Sequence, residues 1–255
     1  MTTLPRTPSF RLDGQPAIVT GAGRGLGLAC AVALADAGAS VTLAARTEGE
    51  IQAAASAITA AGGKADTLVL DVLDIGAVRQ AIGEAGPFTI PVNNAGTNRP
   101  KPFTDVSVDD YDTVLDLNLK AAVFVAQAVA KGMIDAGRGG SIIHMGSQMG
   151  HVGGANRSLF CASKWAIEGL SKAMALDLAA YGVRSNTIAP TFIETPMTRP
   201  FFEDAAFRDS VLSRIKLGRL GKVEDIMGAV VYLASPASAL VTGASLLVDG
   251  GWTAD

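Results

Sequence analysis

Cysteine and charged residues are both scarce in this sequence. The two cysteines, Cys30 and Cys161, show neither metal-ligand spacing nor a disulfide framework, so we expect a reduced, cytoplasmic setting. Charged residues make up only 18% of the chain, which argues against disorder. The 21 Lys and Arg residues nearly balance the 24 Asp and Glu residues, for a net charge of −3, and give no electrostatic reason to expect nucleic acid as a partner.

The sequence also lacks an uninterrupted apolar run that would predict a membrane span. The apolar stretch 25–45 is broken by Asp36, Gly38 and Ser40, which fits a helix, a turn and a strand better than a span. Residues Met1–Gly14 contain no apolar region of the kind that a signal peptide needs. We therefore expect no membrane partner and a 13-residue N-terminal extension (residues 1–13).

The chain contains an alternation of short Val/Ile/Leu-rich runs and longer Ala-rich runs, within 49% hydrophobic residues. The runs predict strands at 17–20, 40–45, 65–70, up to 93, 141–145, 184–188 and 244–248. They predict helices at 26–37, 48–61, 75–84, 109–136, 159–181 and 223–233. This order predicts a single domain over residues 1–255 of the α/β class: a Rossmann-type, doubly wound, mainly parallel sheet with helices on both faces. Pro91 does not fit the interior of a strand, because proline cannot donate a ladder hydrogen bond.

Residues 191–220 form one long segment without clear periodicity. A long segment after the carboxyl end of a strand in a compact α/β domain is often a lid over a ligand site. We expect such a substrate lid here, and a surface insertion is the alternative.

The first predicted strand runs directly into a glycine-rich turn and then into a helix. Glycines let the backbone turn sharply, and the helix N-terminus offers free N–H groups and a positive dipole end to a phosphate. This context predicts a dinucleotide-binding turn. No set of glycines fits G-x-G-x-x-G; the pattern present is T-G-x-x-x-G-x-G, formed by Thr20, Gly21, Gly25 and Gly27.

With that pattern the chain resembles the short-chain dehydrogenase/reductase family, in its single-domain branch of about this length. Further motifs of the family follow in order and reach the end of the chain: Asp71-Val72, Asn93-Asn94-Ala95-Gly96, Asn118, Ser147, the segment Phe160-Cys161-Ala162-Ser163-Lys164, and Val248-Asp249-Gly250-Gly251. The resemblance implies an NAD(P)-dependent oxidoreductase that interconverts a carbonyl and a secondary alcohol by hydride transfer. It also implies a homotetramer.

The end of the second predicted strand indicates which nicotinamide cofactor is bound. Arg46 stands where an acidic residue would favour NAD, and Arg24 lies in the glycine turn, so both favour the 2′-phosphate of NADP(H). NAD(H) remains possible if both arginines are ordinary solvated charges. The resemblance implies these cofactor-binding residues: Gly21, Arg24, Gly25, Leu26, Gly27, Arg46, Asp71, Val72, Asn94, Ala95, Gly96, Lys164, Pro190, Ile193 and Thr195.

The family resemblance implies a catalytic set of Asn, Ser, Tyr and Lys, and the tyrosine is missing. Asn118, Ser147 and Lys164 stand in place, whereas Phe160 occupies the tyrosine position and has no hydroxyl. Two explanations remain open. One is a deliberate Tyr→Phe substitution that stops turnover; the other is a natural protein that has lost or moved its proton donor and serves as a cofactor-binding or regulatory protein.

The substrate is expected to be a small carbonyl or alcohol compound, without a more specific identity. Candidate substrate residues are Ser147, Gln148 and His151, the last two because they lie near the catalytic serine; a solvated loop position is the alternative for His151. His144 is expected in the core. No cluster of His, Cys and carboxylates suggests a metal.

Overall fold

In the computed structural model, which describes residues 3–254, all strands belong to one parallel sheet. Residues 1, 2 and 255 lie outside the described part, including the first two of the expected N-terminal extension. The strands are β1 (Pro16–Thr20), β2 (Ser40–Ala45), β3 (Lys64–Val69), β4 (Ile90–Asn93), β5 (Gly140–Met145), β6 (Val183–Pro190) and β7 (Ser245–Val248). The α-helices are α1 (Gly25–Asp36), α2 (Glu48–Ala60), α3 (Ile75–Ala85), α4 (Val108–Leu115), α5 (Ala121–Asp135), α6 (Ser158–Leu178), α7 (Ala205–Leu212) and α8 (Glu224–Ala234).

The strand order reverses at β1, the first strand of the chain. The order is β3-β2-β1-β4-β5-β6-β7, so that β1 pairs with β2 on one side and with β4 on the other. This confirms the predicted Rossmann-type fold. A crevice opens at such a switch point outside the carboxyl ends of the strands, and ligands bind there in open α/β sheets.

Two apolar cores, one on each face, bury the sheet. One core joins β1, β2 and β5 to α1, α2 and α8, and its fully buried side chains include Leu34, Ile51 and Ile226. The other joins the sheet to α3 and α5 through side chains such as Val78 and Met133. Burial on both faces explains why the strands are continuous apolar runs.

The helix predicted at 109–136 is interrupted in the structure by a π-helical turn. Residues Asp116–Lys120 form this turn between α4 and α5. By length and composition alone, Val108–Asp135 could cross a membrane, and 44% of its most apolar window is buried in the fold. Its buried side chains, such as Val125 and Val129, belong to the core against the sheet, which assigns the helix to the α/β layer.

The segment 191–220 contains a helix that its sequence did not predict. A 3₁₀ turn (Arg199–Glu203) precedes α7, whose N-terminus is capped by the Asp204 side chain. Phe192, Phe202 and Phe207 pack over the small core formed by Val211, Ile215 and Leu220. The function of the segment 191–220 as a lid remains a prediction.

Pro91 lies one residue before the hydrogen-bond ladder between β4 and β5 begins. On one side it pairs in register with Ile18 of β1, but pairing with β5 begins only at Val92. The missing N–H is therefore tolerated next to the point where the second ladder starts.

Candidate active site

A cleft with a volume of about 420 Å³ follows the carboxyl edge of the sheet. It extends from the glycine turn after β1, past the ends of β4 and β5, to the segment that follows β6. All the expected cofactor residues except Gly27 line it. The segment 191–220 contributes Thr191, Phe192, Ile193, Thr195, Pro196, Met197, Thr198 and Phe201 to the lining.

The glycine turn has the backbone conformation that a phosphate-binding turn needs. Gly21 and Gly25 have positive φ values of 65° and 59°, which side chains other than glycine rarely adopt. A Cβ atom on Gly27 would lie 2.2 Å from the carbonyl oxygen of Gly21, so only glycine lets α1 approach the turn. No side chain caps the N-terminus of α1. Its first N–H groups therefore remain available to an anion.

A hydrogen-bond network ties the glycine turn to the end of β4. The Thr20 hydroxyl accepts hydrogen bonds from the backbone N–H groups of Asn94 and Ala95, both at 3.1 Å. The Asn94 side chain donates in return to the Thr20 carbonyl at 3.0 Å. The expected cofactor residues Asn94, Ala95 and Gly96 are thus fixed at one wall of the cleft.

The adenine end of the cleft is lined by Arg24, Arg46, Asp71 and Val72. Arg24 forms an exposed ion pair with Glu50 at 3.4 Å. Arg46 is exposed and forms no hydrogen bond or ion pair with residues 3–254, so its guanidinium is available to a ligand. Asp71 accepts a hydrogen bond from the backbone of Leu73, which orients its carboxylate at the end of β3.

Phe160 and Lys164 lie together on α6 and line the cleft. The Lys164 ammonium lies 5.5 Å from the centroid of the Phe160 ring. It donates a hydrogen bond of 2.7 Å to the carbonyl of Met145, the last residue of β5. Burial lowers the pKa of Lys164 to about 8, and the nearby Glu168 carboxylate opposes this shift.

Ser147 lies across the cleft, just after β5. Its hydroxyl donates to the Gln148 side-chain oxygen at 2.8 Å and accepts from the Met149 backbone at 3.1 Å. Ser147 and Gln148 are both buried and both line the cleft, as expected of residues that contact a substrate.

Asn118 lies in the π-helical turn between α4 and α5, a feature that often marks functional sites. Its side-chain oxygen accepts from the Thr97 backbone at 2.7 Å, and its amide donates to the Thr97 carbonyl at 2.9 Å. The same amide donates to the Ser163 hydroxyl at 3.1 Å, which connects Asn118 to α6. The hydrogen bond to Ser163 thus places Asn118 next to the residue that precedes Lys164.

The expected nicotinamide turn follows β6. Pro190, Ile193 and Thr195 line the cleft, and the Thr195 hydroxyl lies 3.1 Å from that of Thr198. The Thr191 hydroxyl is buried and has no hydrogen-bond partner within residues 3–254. A bound cofactor at this position would supply the partner that this hydroxyl lacks.

His151 is not among the residues that line the cleft, and its contact with a substrate stays a prediction. Its Nε2 lies 2.9 Å from the Ser245 hydroxyl and 3.5 Å from the Glu168 carboxylate, and its ring packs near Trp165. His144, by contrast, is buried in the core as predicted.

The three tyrosines all lie away from Phe160 and the cleft. Tyr111 and Tyr181 are 54% and 52% exposed, and Tyr232 packs on α8 with its ring centroid 6.3 Å from that of Phe10. None of them lines the cleft. Within residues 3–254 no group of three His, Cys, Asp or Glu side chains could hold a metal ion.

One cleft residue escaped the sequence analysis. Arg157 immediately precedes α6, is only 7% exposed, and lies over the ring of Phe201, 5.3 Å from its centroid, in the segment 191–220. Its position three residues before Phe160 in the sequence was the available signal.

Comparison with known proteins places this geometry in a family. A family model described as enoyl-(acyl carrier protein) reductase matches residues 21–253. The chain is 37% identical to L-xylulose reductase of Bos taurus over 245 residues, which cover 96% of this chain and 99% of the relative. It is 40% identical to gluconate 5-dehydrogenase of Gluconobacter oxydans (strain 621H) over 248 residues, 96% of each chain.

The solved structures agree with the sequence matches. The structure of a gluconate 5-dehydrogenase from Burkholderia cenocepacia J2315, in complex with NADP and tartrate, is similar with a TM-score of 0.93 and 40% identity. The match covers 96% of this chain and 98% of that one. The fold, the cleft and the relatives together indicate that this chain is of the NAD(P)-dependent oxidoreductase class. The chain belongs to the short-chain dehydrogenase/reductase family.

Proposed function

We propose that this chain has the active site of an NADP(H)-dependent oxidoreductase for ketones and secondary alcohols, impaired at its proton-transfer step by Phe160. One observation carries this proposal: Phe160 lies in the cleft beside the buried ammonium of Lys164 and has no hydroxyl. Asn118, Ser147 and Lys164 remain around it.

NADP(H) is proposed as the cofactor because of the charges at the adenine end of the cleft. Arg46 is exposed there and pairs with no side chain in the described residues 3–254, and Arg24 lies in the glycine turn. A guanidinium binds a phosphate through charge-assisted, often bidentate hydrogen bonds. The gluconate 5-dehydrogenase structure with bound NADP supports this assignment.

The cofactor, when bound, supplies the hydride that is exchanged with the substrate carbon. Ser147 would donate a hydrogen bond to the substrate oxygen, where negative charge develops as a carbonyl is reduced. Lys164 would hold the nicotinamide ribose and stabilise negative charge near its ammonium. Asn118 would position a water that connects Lys164 to solvent, because its amide already reaches toward α6.

Phe160 removes the proton donor and leaves the rest of the site in place. General acid–base catalysis contributes typically about 10²- to 10⁴-fold, which corresponds to a barrier increase of about 3–5 kcal/mol when it is lost. Cofactor binding should persist, because a phenylalanine at position 160 changes none of the residues that are expected to bind the cofactor.

The substrate is proposed to be a small polyol, keto sugar or sugar acid. L-Xylulose reductase and two gluconate 5-dehydrogenases are among the similar proteins. The buried side chains of Ser147 and Gln148 give the substrate end of the cleft a polar wall.

A second function is favoured by the same residue. A natural protein with Phe160 could bind NADP(H) without turnover and act as a cofactor-binding or regulatory protein. The two functions differ in one result: restoring the hydroxyl by Phe160→Tyr restores turnover in an impaired enzyme, and leaves a protein adapted to binding inactive.

We also propose a cytoplasmic homotetramer. The exposed apolar side chains on the α4 and α6 faces support the assembly, because Val108, Trp165 and Leu176 are 77%, 53% and 82% exposed. Light scattering during size-exclusion chromatography tests it: a mass near four times 26.0 kDa is expected. A monomer at micromolar concentration would contradict the assembly.

The proposed activity is tested first through cofactor binding. NADPH fluorescence titration of the chain as written should show saturable binding, tighter than that of NADH. The Phe160→Tyr variant should bind NADPH with similar affinity and, in addition, oxidise it when ketones of the polyol and sugar-acid classes are supplied. Absence of NADPH binding to both proteins would contradict the proposal.

A further inference from the structure

Arg157 is a buried cation without an anionic partner. Its side chain is only 7% exposed, although arginine is almost never buried unless it is paired. Within residues 3–254 no carboxylate lies within 4.0 Å of its guanidinium, and no hydrogen bond from the guanidinium is formed. A buried charge in this state is costly, and a ligand that carries the opposite charge would offset the cost.

The surroundings of Arg157 are aromatic. Its guanidinium lies over the rings of Phe201 and Phe207, at 5.3 and 6.0 Å from their centroids. An aromatic ring attracts the positive charge but does not replace a hydrogen-bond acceptor for the five N–H donors of the guanidinium. The donors therefore remain available for a planar, bidentate acceptor such as a carboxylate.

The position of Arg157 is at the substrate end of the cleft. Arg157 immediately precedes α6, three residues before Phe160, and lines the same cavity as Ser147 and Gln148. The proposed phosphate-binding Arg46 follows β2, which is three strand spacings from β5 in the sheet, or about 14 Å. The 2′-phosphate is thus expected at the other end of the cleft, and Arg157 lies at the end where Ser147 and Phe160 also line it.

The positive charge that the protein offers at this end of the cleft suits a ligand with a single negative charge. The other basic residues in the lining are Arg24 and Arg46 at the adenine end, and Lys164, which donates to the Met145 carbonyl. One isolated guanidinium suits a monovalent carboxylate better than a phosphate monoester, which carries nearly two charges at neutral pH.

From this geometry we infer that Arg157 is a specificity-determining residue that binds the carboxylate of a hydroxy- or ketocarboxylate substrate. The inference rests on the proposed function, and it selects sugar acids over neutral sugars and polyols. Phe201 and Phe207 position the guanidinium from the segment that follows β6, so that carboxylate binding and the placement of this segment over the cleft are coupled.

Phe160 makes the inference measurable without turnover, because the chain as written should form stable complexes with substrate. Isothermal titration in saturating NADP⁺ would compare D-gluconate with D-gluconamide, L-tartrate with L-tartramide, and D-glucitol 6-phosphate as a phosphate ester. We expect at least one carboxylate to bind about 10- to 100-fold more tightly than its amide, the range expected for charge-assisted hydrogen bonds.

Variants of Arg157 separate recognition from structure. Arg157→Gln should weaken carboxylate binding to the level of the amide and leave amide binding within about threefold, whereas Arg157→Lys should retain part of the preference. The matched control is Arg199→Gln, because Arg199 is an exposed arginine of the segment 191–220 that does not line the cleft. This control should change neither carboxylate binding nor amide binding. A residue that only supports the fold would weaken both ligands equally.

Three results would overturn the inference: no carboxylate that binds better than its amide, an equal effect of Arg157→Gln on both, or preferential binding of the phosphate ester. Failure of the proposed function has a separate signature, namely no NADP⁺ binding. In that case the same titrations without cofactor still test Arg157, because the guanidinium and its aromatic neighbours belong to the chain itself.

Discussion

The ring of Phe160 lies beside the ammonium of Lys164, with 5.5 Å between Nζ and the ring centroid. The ammonium is anchored by the Met145 carbonyl, so it is held in place although no hydroxyl accompanies it. The two side chains are four positions apart on α6, which places them on one helix face. The site thus holds a positive charge of the kind that lowers the pKa of a neighbouring phenol, and the side chain of residue 160 carries no hydroxyl there.

The cofactor preference should depend on Arg46. Replacing Arg46 with Leu removes an exposed guanidinium at the adenine end of the cleft. We expect NADPH affinity to fall about 10- to 100-fold and NADH affinity to stay nearly constant, since only NADPH carries the 2′-phosphate. Fluorescence titration with both cofactors measures the two affinities.

Arg138→Leu is the control for this substitution. Arg138 is exposed just before β5, at the opposite edge of the sheet, and its loss should affect neither cofactor. An equal loss of NADPH and NADH affinity in the Arg46 variant would contradict the proposed phosphate contact.

Gly27 should tolerate no side chain. A Cβ at this position would lie 2.2 Å from the Gly21 carbonyl oxygen and 2.5 Å from the Asn94 side-chain nitrogen. Gly27→Ala should therefore lower the free energy of unfolding by about 1–3 kcal/mol, as overpacking does, and weaken NADPH binding. Chemical denaturation and cofactor titration provide the two measurements.

Gly132 offers the matched control within another helix. A Cβ on Gly132 in α5 would meet no atom within 4 Å, so Gly132→Ala should stabilise the protein by up to about 1 kcal/mol through helix propensity. If Gly27→Ala were as stable as Gly132→Ala, the close approach of α1 to the glycine turn would be refuted.

His144 should make the protein less stable in mild acid. Burial lowers its pKa to about 4 from an ordinary value of 6.5, and the charge of Lys164 acts in the same direction. Between these values the unfolded chain binds a proton that the folded protein does not, so stability falls as pH falls. We expect a loss of about 2 kcal/mol between pH 7.5 and pH 5 from this residue.

Urea denaturation at the two pH values measures this loss, and His144→Gln supplies the comparison. Glutamine does not titrate, so the variant should lose less stability than the parent protein over the same interval. An equal loss in both proteins would show that His144 is not the responsible group.

Much of the fold could be predicted from the sequence because the strands are continuous apolar runs. The strand predicted at 40–45 has the same bounds in the structure, and the other strands and most helices differ by one or two residues at their ends. α7 was missed because it is short and lies in a segment with mixed polarity, where its Asp204 cap is the clearest signal. The π-helical turn at Asn118 has no sequence pattern and depends on packing.

The candidate site shows the same division. Motif residues such as Asn94 and Lys164 could be placed because their order along the chain fixes which strand or helix carries them. The contacts of His151 with Glu168 and Ser245 could not be predicted, because sequence proximity to Ser147 does not determine side-chain direction. Arg157 was missed because its burial arises from Phe201 and Phe207, which are distant in sequence.

The central claim is that one absent hydroxyl separates this chain from turnover. The most direct measurement compares the chain as written with Phe160→Tyr, using NADPH and a panel of keto sugars and keto acids while nicotinamide absorbance is followed. Phe103→Tyr, which adds a hydroxyl at a side chain that is 79% exposed, is the matched control. We predict that Phe160→Tyr raises kcat by about 10²- to 10⁴-fold and that Phe103→Tyr changes nothing. Near-normal turnover by the chain as written, or an inactive Phe160→Tyr variant that still binds NADPH, would contradict the account.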